Sequence, residues 1–282
     1  MKPSIIFEKI AKVLMYISIA TLFLLVVSIL ATIFIKGGSV ITWEMVSSLP
    51  GGGFYIGKGG GFLNAIVGSL MVVLSSTAIG LIFSVPVVFY LNIYLKQKSR
   101  FAYWVRLALD SLFGIPSIVY GAFAFTVMIY FGMRTSLGGG ILVTTILIIP
   151  IFIRSMDEVA KNFPQDILEA SFSLGATRLE TIGIVVRQIA PGIATATLLS
   201  IGRAIGDAAG VMYTAGFSDS IPESLSQPAA TLPLSIFFQL GAPQIEVQNR
   251  AYAAALVLTV IVLILSILGR FITNKFSKNK LK

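Results

Sequence analysis

Arg203 and Asp207 stand together in an otherwise apolar stretch, near residues 192–217 of this 282-residue chain. A charge within a membrane-length apolar run costs about 2.5–3.5 kcal/mol on insertion scales, so it normally faces a cavity or a partner. The i,i+4 spacing predicts that both side chains share one helical face. Two readings follow from the residues alone. The pair can neutralise itself and lock neighbouring helices together. Alternatively, the carboxylate can hold the guanidinium toward a passage. The planar five-donor fork of arginine suits phosphate-like oxygens, and a nearby carboxylate would keep such an anion from being held too tightly to leave. One carboxylate is no general acid/base pair, and no hydrolytic site is legible.

Missing residue types exclude other chemistry. Without His, no Ser-His-Asp triad or His-ligated metal can form. Without Cys, disulfides, thiolate nucleophiles and zinc thiolates are excluded. Hydrophobic residues make up 56% of the chain and charged residues only 12%, against roughly 45–50% and about 25% in soluble domains. The elements positioning Arg203 and Asp207 are therefore expected to be membrane helices, in an all-α polytopic bundle.

Spans of about 20 apolar residues mark such helices. The charge-free run Val13–Ile35 is the first, too long for a signal-peptide core. The others are expected near Leu63–Tyr90, Ser111–Met133, Thr135–Ile153, Gly192–Phe217 and Ala251–Gly269. The uncharged segment Ser224–Ile245 carries three Pro residues and reads as a short helix or re-entrant piece. Residues 1–62 then form an N-terminal helix with an outer Gly-rich loop. Residues 63–272 form the core, with a cytoplasmic loop at 154–190, and residues 273–282 form a basic tail.

The net charge of +9 is a sign of orientation. With the N-terminus inside, 16 of the 21 Lys and Arg residues fall on cytoplasmic segments, among them Lys96, Arg106, Arg154, Lys161, Arg178 and Arg187. Only Lys36, Lys58, Arg134 and Arg250 fall outside. That bias predicts six spans with both ends cytoplasmic, and it removes any need for a nucleic-acid partner.

The loop from Arg154 to about Ala190 is more than a connector. Pro164 suits the first turn of a short helix, Gly175 suits its left-handed stop, and Thr177 with Glu180 is a capping box opening a second helix. This compact knob can pack on its own bundle or dock a soluble partner. The glycine-rich stretch Gly51–Gly61 nearly spells a phosphate-binding P-loop, but Gly59 replaces the required Ser/Thr and the loop lies outside. It reads as a mouth loop, or as backbone N–H groups lining an anion's way in. Pro86, Pro116, Pro150 and Pro191 permit kinks. The small residues Gly202, Ala204, Gly206 and Ala208–Gly210 allow close helix approach.

Glu169-Ala170-Ser171, with Gly175 four residues after the serine, resembles the EAA loop of ABC-importer permeases. Pro150, Arg154, Asp157-Glu158 and Gly175-Ala176-Thr177-Arg178 extend the likeness. Gly114–Gly121 (GIPSIVYG) is similar to the G-x-P-S-I-V-x-G stretch of phosphate-specific permeases, and Arg203–Asp207 (RAIGD) to their R-A-x-G-E motif. Asp207 replaces the usual Glu, and Arg187-Gln188 replace a usual Leu-Pro.

The resemblance implies a type I (MetI-like) importer permease in the bacterial inner membrane. It implies that Glu169, Ala170, Ser171, Gly175, Ala176 and Thr177 couple to an ATPase. It also implies that Arg203 and Asp207, with Pro116 and Ser117, line a phosphate pathway. Expected partners are a related (PstC-like) permease, two (PstB-like) ATPase subunits, an extracytoplasmic (PstS-like) phosphate-binding protein and membrane lipid. ATP would bind those ATPases, and no cofactor is expected on this chain. The competing expectations are a permease for another oxyanion, such as molybdate, sulfate or phosphonate, and a stand-alone secondary transporter.

Overall fold

The computed structural model describes residues 3–51, 59–95 and 99–277. Among the described residues, ten α-helices follow in order: α1 (Pro3–Thr32), α2 (Trp43–Ser47), α3 (Leu63–Phe89), α4 (Arg100–Phe113), α5 (Ser117–Tyr130), α6 (Leu137–Lys161), α7 (Gln165–Ser173), α8 (Arg178–Ile205), α9 (Leu232–Leu240) and α10 (Ile245–Ser277). Helices α1 and α3 each run on through a π-turn, Ile33–Gly37 and Tyr90–Tyr94. Five segments are long and apolar enough to cross a membrane: Phe7–Gly37, Leu63–Tyr94, Leu137–Lys161, Arg178–Ile205 and Ile245–Asn274.

The third expected span, Ser111–Met133, is not straight. Helices α4 and α5 meet at 98° across Gly114-Ile115-Pro116. Proline lacks the N–H that would continue the ladder, and it disfavours helical backbone at the residue before it. The freed carbonyl of Leu112 is used twice, accepting from Ile115 N–H at 3.1 Å and from the Tyr120 hydroxyl at 2.8 Å. The pair nonetheless makes one crossing. Arg106 reaches Asp157 near the end of α6, and Arg178 reaches the Tyr94 carbonyl at the end of α3's π-turn. The ends of α3 and α6 therefore lie on one side, so α4 and α5 must carry the chain back across. With the bent pair as one span, the described residues make six crossings, in line with the six expected.

Helices α3, α6 and α8 form the centre, with Val73 and Val88 of α3, Ile148, Phe152 and Met156 of α6, and Val185, Ile189 and Ala196 of α8 in one buried cluster. Lipid tails are as apolar as these side chains, so close van der Waals contact rather than removal from water holds them. By contrast, none of α1's membrane-length stretch is buried against the rest of the chain.

The fifth span also differs from expectation. It begins at Arg178 rather than near Gly192, because Pro191 is accommodated inside the helix. It ends at Ile205, and residues 206–216 form a series of turns that packs as an irregular strip. Apolar character continues through this strip, but Gly206 ends the helix. The short helix expected in Ser224–Ile245 is α9, whose Leu232, Leu234 and Ser235 are buried. Of the Gly-rich loop, residues 52–58 lie outside the described residues, as do Lys58 and the P-loop likeness. Its base is held by a single bridge between Pro50 and Gly60 and by the Arg250 guanidinium, which donates to the Gly60 carbonyl at 2.6 Å.

Gly121 fixes how the bent pair docks. A Cβ there would lie 2.6 Å from the Gly210 carbonyl oxygen and 3.0 Å from that of Ala209. Gly121→Ala should lower stability by about 1–3 kcal/mol through overpacking, and Tyr120→Phe by about 1 kcal/mol through loss of one hydrogen bond. Thermal unfolding of the detergent-purified chain measures both, and unchanged midpoints would contradict the docking described.

Candidate substrate pathway and coupling knob

Arg203 lies in the last turn of α8, where the partial negative charge of a helix C-terminus favours a cation. Its side chain is exposed and lines a cavity of about 420 Å³. Leu112, Phe113 and Ile115 of the bend form one wall, and Leu147, Ile151 and Ser155 of α6 form another. Ser155, missed in the sequence, is the other polar side chain lining it.

Asp207 does not pair with Arg203. The helix stops at Ile205 with Gly206 as its cap, so the i,i+4 spacing no longer places the two on one face. Instead Asp207 Oδ2 accepts the Gly210 N–H at 2.9 Å and closes the turn at 207–210. Among the described residues Arg203 makes no ion pair. Pro116 is the exposed N-cap of α5 and Ser117 its buried first residue. Through Gly121, helix α5 rests on the very turn that Asp207 closes. Two sequence-distant motifs are thus brought into contact, although the Arg203–Asp207 pair expected within the second is absent.

The knob is built by local signals. Pro164 caps α7, and the helix ends in a Schellman motif, with Ala176 N–H on the Ser171 carbonyl at 3.1 Å and Gly175 N–H on the Phe172 carbonyl at 3.0 Å. Gly175 sits at φ +84°, which L side chains rarely adopt. Thr177 and Glu180 then form the reciprocal capping box of α8. Ser171 and Thr181 hydroxyls meet at 3.1 Å inside the corner, joining the two helices.

On the outer face, Glu169 and Ala170 are exposed, Ala176 is half-buried and Thr177 is exposed. Leu174, beside them, is 89% exposed, an apolar tip with no packing of its own. Arg178 ties the knob to the end of α3's π-turn, donating to the Tyr94 carbonyl at 3.2 Å with its guanidinium over the Tyr94 ring.

A second group was not anticipated as a cluster. Asp157 of α6 is buried and takes both oxygens' worth of donors: Arg106 Nε on Oδ2 at 2.8 Å, Arg106 Nη2 on Oδ1 at 2.9 Å, Asn92 Nδ2 on Oδ1 at 2.8 Å and Lys161 Nζ on Oδ2 at 2.9 Å. Half-exposed Asp110 and Arg154 make a further pair at 3.3 Å.

Residues 52–280 match the family described as binding-protein-dependent transport system inner membrane component. The phosphate transport system permease protein PstA of Yersinia pestis is 35% identical over 223 residues, 79% of this chain and 74% of that protein. The same-named protein of Pasteurella multocida is 30% identical, covering 89% of this chain and 88% of its own. PstA 2 of Mycobacterium bovis is 33% identical, covering 77% and 72%. Among solved structures, an inward-facing MetNI methionine ABC transporter chain superposes with a TM-score of 0.62 at 18% identity, over 76% of this chain and 95% of that one. That likeness carries the fold alone, the MetI-like bundle expected from the sequence. On these grounds the chain, a multi-pass membrane protein, belongs to the binding-protein-dependent transport system inner membrane components, with PstA-type phosphate permeases among its relatives.

Proposed function

We propose that this chain is the permease subunit of an ATP-driven inorganic phosphate importer in the bacterial cytoplasmic membrane. It forms half of the translocation pathway together with a related permease. The observation that carries this reading is Arg203: a guanidinium with no carboxylate partner among the described residues, facing a cavity between the bend, α6 and α8. A phosphate oxygen pair matches its planar fork. The names of the PstA relatives support phosphate over molybdate, sulfate or phosphonate.

Asp207 has a different role from the one its spacing suggested. By holding the 207–210 turn it supports α5 through Gly121, away from the residues that line the Arg203 cavity, and so leaves the guanidinium free for an anion. Pro116 and Ser117 do not line the cavity themselves but set the bend whose Ile115 does.

The knob of Glu169–Thr177 docks into an ATPase subunit, with Leu174 as its apolar tip and Glu169 as a charged contact. Two ATPase subunits hydrolyse ATP, and an extracytoplasmic phosphate-binding protein delivers the anion. Movement of the knob tilts α6 and α8, which bear two walls of the cavity, so that it faces each side in turn. The chain holds no cofactor in this scheme.

Uptake of labelled phosphate by vesicles carrying the assembled complex tests the pathway. Arg203→Ala should reduce uptake by at least about tenfold, the loss of one or more charge-assisted hydrogen bonds, while assembly persists. Arg203→Lys should fall between, because an ammonium cannot pair two oxygens in one plane. Uptake unchanged by Arg203→Ala, or molybdate carried while phosphate is excluded, would overturn the reading. Glu169→Lys should weaken co-purification of the ATPase subunit and lower ATP hydrolysis in the complex. Undiminished copurification would remove Glu169 from the docking face.

A further inference from the structure

Helix α4 carries one wall of the Arg203 cavity; of its 14 residues Ala102 is buried, and Val105 and Leu109 are partly buried against the same cluster. Apolar contact is non-directional, so the charges on α4 are what distinguish one register from the next. Arg106 and Asp110 lie one turn apart on α4, and Arg154 and Asp157 lie about one turn apart on α6. They pair antiparallel, Arg106 with Asp157 and Asp110 with Arg154.

Slipping α4 by one turn, about 5.4 Å, in one direction sets Asp110 against Asp157 and Arg106 against Lys161. The other direction sets Arg106 against Arg154. Each slip opposes like charges. The inner pair is also removed from water, with Asp157 only 2% exposed and Arg106 20% exposed. Neutralising Asp157 therefore leaves the Arg106 guanidinium and Lys161 with no carboxylate between them.

We propose that these two ion pairs are a register clamp. They make α4, its bend and the cytoplasmic end of α6 one rigid body, which transmits displacement of the knob to the wall of the Arg203 cavity. The inference rests on the transport reading above and deepens it. Helix α7 begins four residues after α6 ends, with Phe163 buried between them, so the knob pulls on the clamped end of α6. Asn92 on α3's π-turn holds the same carboxylate and anchors the body to the central helix. Arg106 and Asp157 are positioning residues: they touch neither anion nor nucleotide.

Two measurements on the assembled complex test the clamp. In vesicles with labelled phosphate, Asp157→Asn should lower phosphate moved per ATP hydrolysed by at least about tenfold, while ATP hydrolysis continues. A ratio equal to that of the parent would overturn the proposal. The second measurement needs neither a clamp variant nor phosphate. The chain has no cysteine, so spin labels can be placed at Tyr103→Cys on α4 and Glu158→Cys on α6, both exposed. Their separation should stay constant to about 2 Å, the scale of a helix shift, between ATP-free and ATP-trapped states. A larger change would overturn the clamp. A parent complex that hydrolyses ATP without moving phosphate would instead overturn the transport reading, leaving the distance measurement to decide the clamp.

Discussion

A charge in a membrane must be received by a cavity, a counter-charge or a helix end, and most of this structure follows from how its few charges meet that demand. Arg203 has the cavity and the C-terminus of α8. Asp207, four residues on, is received by a backbone N–H. Asp157 is surrounded by donors from Arg106, Asn92 and Lys161. Each arrangement has a different consequence. The first leaves a cation available to an anion, the second shapes the backbone beneath α5, and the third ties three helices together. One rule of low dielectric thus accounts for an unpaired cation beside a cavity, a closed turn and a cluster of ion pairs.

The backbone obeys a parallel constraint, because its polar groups must also be satisfied inside the membrane. Breaks in helices occur where other groups take over the freed hydrogen bonds. The bend at Gly114–Pro116 is closed by Tyr120 on the Leu112 carbonyl, and the strip after Ile205 by Asp207 on Gly210. These two irregular places touch through Gly121, and the Arg203 cavity lies beside them. Irregular backbone at membrane depth is tolerated where protein buries it or a cavity is lined. The cavity and its breaks are therefore parts of one arrangement.

Much of the bundle was legible because its signals are local. Charge-free runs marked the spans, and Thr177 with Glu180, Gly175 and Pro164 outlined the knob within a few residues. What was misread depends on distance or on a single interruption. Residues 206–217 are apolar enough for a helix, and only the backbone path after Gly206 reveals turns. That one stop also undid the shared face of Arg203 and Asp207. Pro116 announced a bend but not its 98° angle, which depends on Tyr120 and Gly121 meeting partners elsewhere. The Asp157 cluster was invisible for a plainer reason: Arg106 and Asn92 lie 51 and 65 residues away in the chain.

The central claim is that the cavity lined by Arg203 is where phosphate passes. In a cysteine-free chain, Ser155→Cys places a single thiol on its wall. The decisive measurement is the rate at which a charged thiol reagent modifies this residue in the assembled complex, with and without inorganic phosphate. If phosphate occupies the cavity, it slows modification, and Arg203→Ala removes that protection. A rate that ignores phosphate when Arg203 is present would contradict the account.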